Sequence, residues 1–113
     1  MNKKLNPKHK LLVTIVKKGM AQKVVKASKK AGAEGATIIY GRGNGIHDNQ
    51  NLLGFSVDTD KEVIFTLMSK EKMDAIITAV ENAGKLDKPG SGIGFVVDVK
   101  RFAGIVHLLK SQD

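Results

Sequence analysis

The chain has 113 residues, a formal charge of +8 and no cysteine. That fits one domain with a single core and excludes disulfides and thiolate metal sites. With only 4% aromatic residues, Val, Ile, Leu and Ala must fill the core. The apolar run LLVTIV behind the basic N-terminus MNKKLNPKHK is too short to span a membrane and lacks a small-residue cleavage signal, so the expected compartment is the cytoplasm. Positive charge favours an anionic partner: a nucleotide, nucleic acid or an acidic membrane face. Arginine occurs only at Arg42 and Arg101. Nucleic-acid readers rely on arginine forks or stacked aromatics, so nucleic acid is the disfavoured partner, and most lysines read as solvated surface.

Residues 1–9 read as a basic arm, with Pro7 opposing an early strand, and 10–113 as one domain. His9 is given no role. Lys10–Lys17 is a strand whose near-continuous apolar run predicts a central position, buried on both faces. Gly19 breaks it. Met20–Ala31 turns to helical spacing: Met20, Ala21, Val24, Val25, Ser28 and Ala31 share one side and Lys23, Lys26, Lys29 and Lys30 the wet side. Gly32 is placed to close the helix in the left-handed conformation. Ala36–Tyr40 is a second strand.

Residues 41–60 read as a long polar loop, with Leu52, Leu53 and Phe55 as either a partner-docking tip or a short piece packed on its own assembly. Glu62–Met68 is a third strand. Ser69 is the expected cap of a second helix, with Glu71 in its first turn, Met73, Ile76, Ile77 and Val80 facing inward, and Gly84 ending it. Phe95–Val99 is a fourth strand, and a turn and edge strand through Gly104–Leu109 would complete the chain. The order β-α-β-loop-β-α-β predicts an α+β, ferredoxin-like sandwich: an antiparallel sheet with both helices on one face. No third layer remains to cover the other face, so oligomerisation is expected from the physics alone.

Two glycine-rich segments lie at strand ends: GRGNG (Gly41, Gly43, Gly45) and KPGSGIG (Lys88–Gly94). Glycine admits close backbone approach, and successive N–H groups can nest phosphate oxygens, so the pair suggests a phosphate-bearing ligand; simple turns are the alternative. Arg42, between two glycines, either contacts phosphate or is solvated, and Lys88 has the same two readings. His47–Asp48 is a metal-ligating pair or a turn, and His107 a phosphate contact or an interface hydrogen bond. No nucleophile–base–orienter set and no paired carboxylates occur, so the chain does not read as an enzyme.

The run AGAEGATI, the loop GRGNG and the segment KPGSGIGFVVDV resemble the PII (nitrogen regulatory P-II) signal-transduction proteins, over about Lys10 to Val99. The resemblance implies a ferredoxin-like homotrimer that binds ATP or ADP in intersubunit clefts and signals through a long T loop, here residues 46–60. It also implies that the open sheet faces meet inside the trimer. Matched by position, Thr37 would lie near adenine and Gly43, Asn44 and Gly45 beside the nucleotide at the loop base. Gly90, Ser91 and Gly92 would form the phosphate-receiving B loop with Lys88. Lys61 would be the basic residue after the T loop, and Ile15 and Leu67 an apolar wall.

The T loop is shorter than in classical members and lacks their modified tyrosine; the chain's tyrosine, Tyr40, lies in the preceding strand. Ile46, Ile93, Gly104 and Val106 stand where the family carries cations against phosphate. Each such contact is typically worth about 1.5–3 kcal/mol, so the expectation is a divergent member. Its ligand is ATP, ADP, AMP or cyclic AMP, with magnesium left open and 2-oxoglutarate sensing disfavoured. A membrane transporter or a regulatory protein is the candidate partner. The alternatives are a trimeric interaction protein that has lost nucleotide binding, or a basic nucleic-acid module.

Overall fold

A computed structural model of the chain describes residues 8–43 and 59–104. The elements follow in the order β1 (His9–Lys17), α1 (Ala21–Lys30), β2 (Gly35–Arg42), β3 (Asp60–Ser69), a 3-10 turn (Lys70–Lys72), α2 (Met73–Gly84) and β4 (Gly92–Asp98). The four strands form one antiparallel sheet in the order β2-β3-β1-β4. This is the ferredoxin-like arrangement, with the two longest-paired strands in the middle.

Strand alternation sorts the sheet into two faces. Leu12 and Val16 of β1 and Ile64 and Met68 of β3 point toward the helices and pack with Ala21, Val24, Ile76 and Val80 in one buried cluster. Met73 and Ile77 flank it. Ser28 belongs to the same inner side because its hydroxyl donates to the Val25 carbonyl at 2.8 Å, which satisfies it inside the helix.

The opposite face carries three apolar rungs running from β2 to β4. They are Gly35–Leu67–Leu11–Val97, Thr37–Phe65–Val13–Phe95 and Ile39–Val63–Ile15–Ile93. In the single chain Phe95 is 45% and Ile93 57% exposed. The sequence placed the first strand as buried on both faces. It is central as expected, but on its open side one chain buries only Val13, level with Phe65 and Phe95, and Leu11 and Ile15 remain half-buried.

Several boundaries differ from those read in sequence, each for a physical reason. His9 is the first residue of β1 rather than part of the arm: it is 3% exposed, its Nε2 lies 3.1 Å from Glu34 Oε2, and its ring meets Phe102 edge-on at 5.5 Å. β2 and β3 run into the polar stretch as far as the Arg42–Asp60 pair, because pairing satisfies their backbone groups regardless of side-chain polarity. β4 starts at Gly92 and ends at Asp98.

Ser69 makes no side-chain cap; a 3-10 turn follows it and α2 begins at Met73. The residue that turns left-handed after α2 is Lys85, at φ 54°, rather than Gly84. Gly84, the last residue of α2 as read in sequence, packs closely: a Cβ there would stand 3.2 Å from Leu86 Cδ2 and 3.5 Å from Val24 Cγ2. Gly32 does adopt the left-handed conformation, at φ 110°. The expected edge strand beyond Gly104 lies outside the described residues.

α1 is capped from a distance. Its N-cap residue Met20 offers no side-chain bond, but Glu62 of β3 accepts the Gly19 amide at 2.9 Å and the Ala21 amide at 2.8 Å. A buried carboxylate thus meets the positive end of the helix. Glu62→Ala removes the one oxygen, Oε1, that accepts both amides and is expected to lower stability by about 2 kcal/mol, read as a fall in the urea midpoint. An unchanged midpoint would refute the capping role. Thr14 and Thr66 are buried on the helix side, and neither hydroxyl finds a partner among the described residues. Thr66→Val, which keeps the shape, is expected to be neutral or stabilising by up to about 1 kcal/mol.

Candidate functional site

Antiparallel pairing brings the end of β1, the end of β2, the start of β3 and the start of β4 to one end of the sheet. Gly41, Lys61 and Lys17 form a three-strand rung at this end, and Arg42 faces Asp60 one step further out. Gly43 donates its amide to the Thr59 carbonyl at 3.0 Å and closes the ladder. Gly92 lies opposite Val16 at the same end. Both glycine segments therefore reach this end, as a shared phosphate ligand requires. They reach it at opposite edges, however. Three inter-strand steps separate β2 from β4, roughly 14 Å, so a ligand touching both must span the sheet or be met by loops of a second chain.

The B-loop residues have clear backbone assignments. Lys88–Ser91 is a turn with Pro89 second and Gly90 third, at φ +81°, closed by the Ser91 amide donating to the Lys88 carbonyl at 3.2 Å. That is a type II turn, which demands a left-handed third residue. Gly92 sits at φ +147°, and a Cβ there would lie 2.3 Å from the Ile15 carbonyl oxygen. Glycine at 90 and 92 is thus dictated by the chain path. The Lys88 amide donates to the Lys85 carbonyl at 3.0 Å, so two loop amides are turned inward, and the Lys88 side chain is exposed.

Arg42 Nε lies 4.0 Å from Asp60 Oδ1, and Lys18 Nζ lies 4.0 Å from Asp60 Oδ2. Such exposed pairs contribute little, about 0–1 kcal/mol, so an incoming phosphate can displace the carboxylate. Lys61 is 8% exposed at the foot of β3. Thr37 is exposed at mid-strand on edge strand β2, on the open face and two rungs from Gly41.

Ile15 and Leu67 share the open face but not a rung: Ile15 pairs with Val63, while Leu67 pairs with Leu11. Four residues along a strand separate them by roughly 13 Å, so the apolar neighbours of Ile15 nearest the loops are Val63, Ile93 and Ile39. Strand register was the missing signal, and the pairing of Lys61 with Lys17 supplies it. Asn44, Gly45, Ile46, His47, Asp48, the Leu52–Phe55 stretch, Val106 and His107 lie outside the described residues.

At the far end of the sheet Lys10 Nζ donates to Asp98 Oδ1 at 2.7 Å. That bond and the lysine charge hold the Asp98 carboxyl below the usual carboxylate range. The pair is intact at neutral pH and is lost on acidification as Asp98 protonates. Among the described residues no group of three or more His, Asp or Glu side chains is placed to hold a metal, and no helix is long and apolar enough to cross a membrane.

A family model of nitrogen regulatory protein P-II matches residues 9–106. The chain belongs to the P-II family. Among solved structures, the PII protein of Arabidopsis thaliana, crystallised bound to citrate, matches with a TM-score of 0.63 at 22% identity. The match covers 84% of this chain and 78% of that one and extends to the fold. No curated protein matches. P-II proteins are regulators of signal transduction.

Proposed function

We propose that this P-II protein is a homotrimeric, non-enzymatic sensor that binds an adenine nucleotide in intersubunit clefts. The nucleotide is ATP or ADP, with AMP and cyclic AMP as further candidates and magnesium an open companion. It acts on a membrane transporter or a regulatory protein through residues 46–60, in the cytoplasm. One observation carries the reading: both glycine segments and the cations Arg42, Lys61 and Lys88 gather at one end of a sheet whose apolar face one chain leaves open. Assembly through that face would bring the β2 edge of one chain toward the β4 edge of another, which joins the two halves of the site. Ligand binding would then shift the population of the loop between two states.

A second reading is a trimer without nucleotide. It is favoured by the turn at Gly90 and the close approach at Gly92, which explain both glycines without a ligand. Calorimetric titration with ATP, ADP, AMP and cyclic AMP, with and without magnesium, decides between them. Micromolar binding of any one establishes the sensor, and no heat from all four establishes the second reading. Where a nucleotide binds, Lys88→Ala is expected to weaken it roughly tenfold or more, the loss of one charge-assisted contact. Unchanged affinity would remove Lys88 from the site.

A further inference from the structure

The outer side of α1 is cationic in a way that helix stability does not explain. Lys23, Lys26, Lys29 and Lys30 are all exposed, and the first turn holds no acid. Lys29 and Lys30 suit the negative end of the helix dipole. Lys23 does not: it stands in the first turn, at the positive end. Lys26 is three residues from Lys23 and Lys29 and four from Lys30, spacings at which like charges repel.

Among the described residues none of the four lies within ion-pairing distance of a carboxylate. The patch continues beyond the helix. Lys72 lies across Gly32, where an added Cβ would stand 2.7 Å from its Cδ, and Lys70 precedes it on the same exposed turn. Local rules broken together on one face point to function rather than stability.

We propose that this α1 face is a docking surface for an anionic lipid bilayer. Clusters of four to eight lysines on an amphipathic helix attract acidic headgroups. These lysines carry neither arginine forks nor exposed aromatics between them, so the attraction is to phosphate charge as such. The inner half of α1 is packed on the sheet and its flank on α2, so the helix offers a face, not a protruding rod. A lamellar surface can lie against such a face; a nucleic-acid groove needs an element that enters it. With no apolar side chain to insert, contact is reversible and sensitive to salt. The proposal uses neither the glycine loops nor a bound nucleotide.

Co-sedimentation of the full chain with vesicles of phosphatidylcholine alone, or with one third phosphatidylglycerol, tests it. Binding to the acidic vesicles only, lost in high salt, is expected. The triple variant K23Q/K26Q/K30Q should partition roughly a hundredfold less, while K85Q/K100Q/R101Q, with the same charge loss elsewhere, is far less affected and should still pellet. The proposal is overturned if neutral vesicles bind equally, if the α1 variant binds like the parent, or if the control loses as much. It is also overturned if duplex DNA binds more tightly than the acidic vesicles and loses affinity in the α1 variant. Nucleotide titration of the same preparations keeps failure here distinct from failure of the sensor reading.

Discussion

Phe95→Lys is expected to reduce the particle from three chains to one, measured as solution mass by light scattering. Phe95 lies in the middle rung of the open face, level with Val13 and Phe65, and is 45% exposed in one chain. If three such faces meet, each copy of the variant would bury an ammonium among apolar side chains with no counter-charge. That costs several kcal/mol per site, on the order of what breaking a buried ion pair costs. The helix side of the sheet is untouched, so the variant should stay folded by circular dichroism. A parent protein that runs as a single chain would sink the trimer, and a variant that keeps the parental mass would place the interface elsewhere.

Gly92→Ala is expected to lower stability by about 3–5 kcal/mol, the sum of a strained backbone and a steric overlap. The new methyl would stand 2.3 Å from the Ile15 carbonyl oxygen, with Leu86 Cδ2 and Val16 Cγ1 each at 3.2 Å. No flexible side chain can yield the first of these distances, because the obstacle is the backbone of the neighbouring strand. For a domain of this size the loss is a large part of the total and should lower the melting temperature by more than about 10 °C. Gly94→Ala is the matched control: its nearest atoms are Leu12 Cδ1 and Leu86 Cδ1, both at 3.7 Å, an ordinary contact. If both substitutions melt alike, the close approach at Gly92 is not what selects glycine there.

Local signals carried the fold a long way. The apolar run that places β1 at the centre of the sheet, the helical spacing of Val24 and Ser28, and Gly32 after α1 were legible because each depends on neighbours within a few residues. So was the bare sheet face, since the element count left nothing to cover it. What escaped was set by distant parts of the chain. The cap of α1 comes from Glu62, across the sheet, and no local pattern announces it. Gly84 does end α2 as read, but the left-handed turn that follows falls on Lys85, which no glycine announces.

The candidate site shows the same division. The family motifs located both glycine segments and Lys88. They did not reveal that Val63 rather than Leu67 shares the rung of Ile15, because register is a relation between strands. Nor did they reveal that the two segments stand at opposite sheet edges.

The ladder between β2 and β3 closes with the Gly43 amide on the Thr59 carbonyl. Whatever lies between residues 43 and 59 therefore starts and finishes within one strand spacing of itself. The entropy of closing such a segment grows only slowly, by about 0.6 kcal/mol for each doubling of its length. Lengthening, shortening or replacing this stretch should leave the domain beneath it nearly as stable as before. The sequence of this stretch can then change in evolution, or be replaced by grafting, without renegotiating the core.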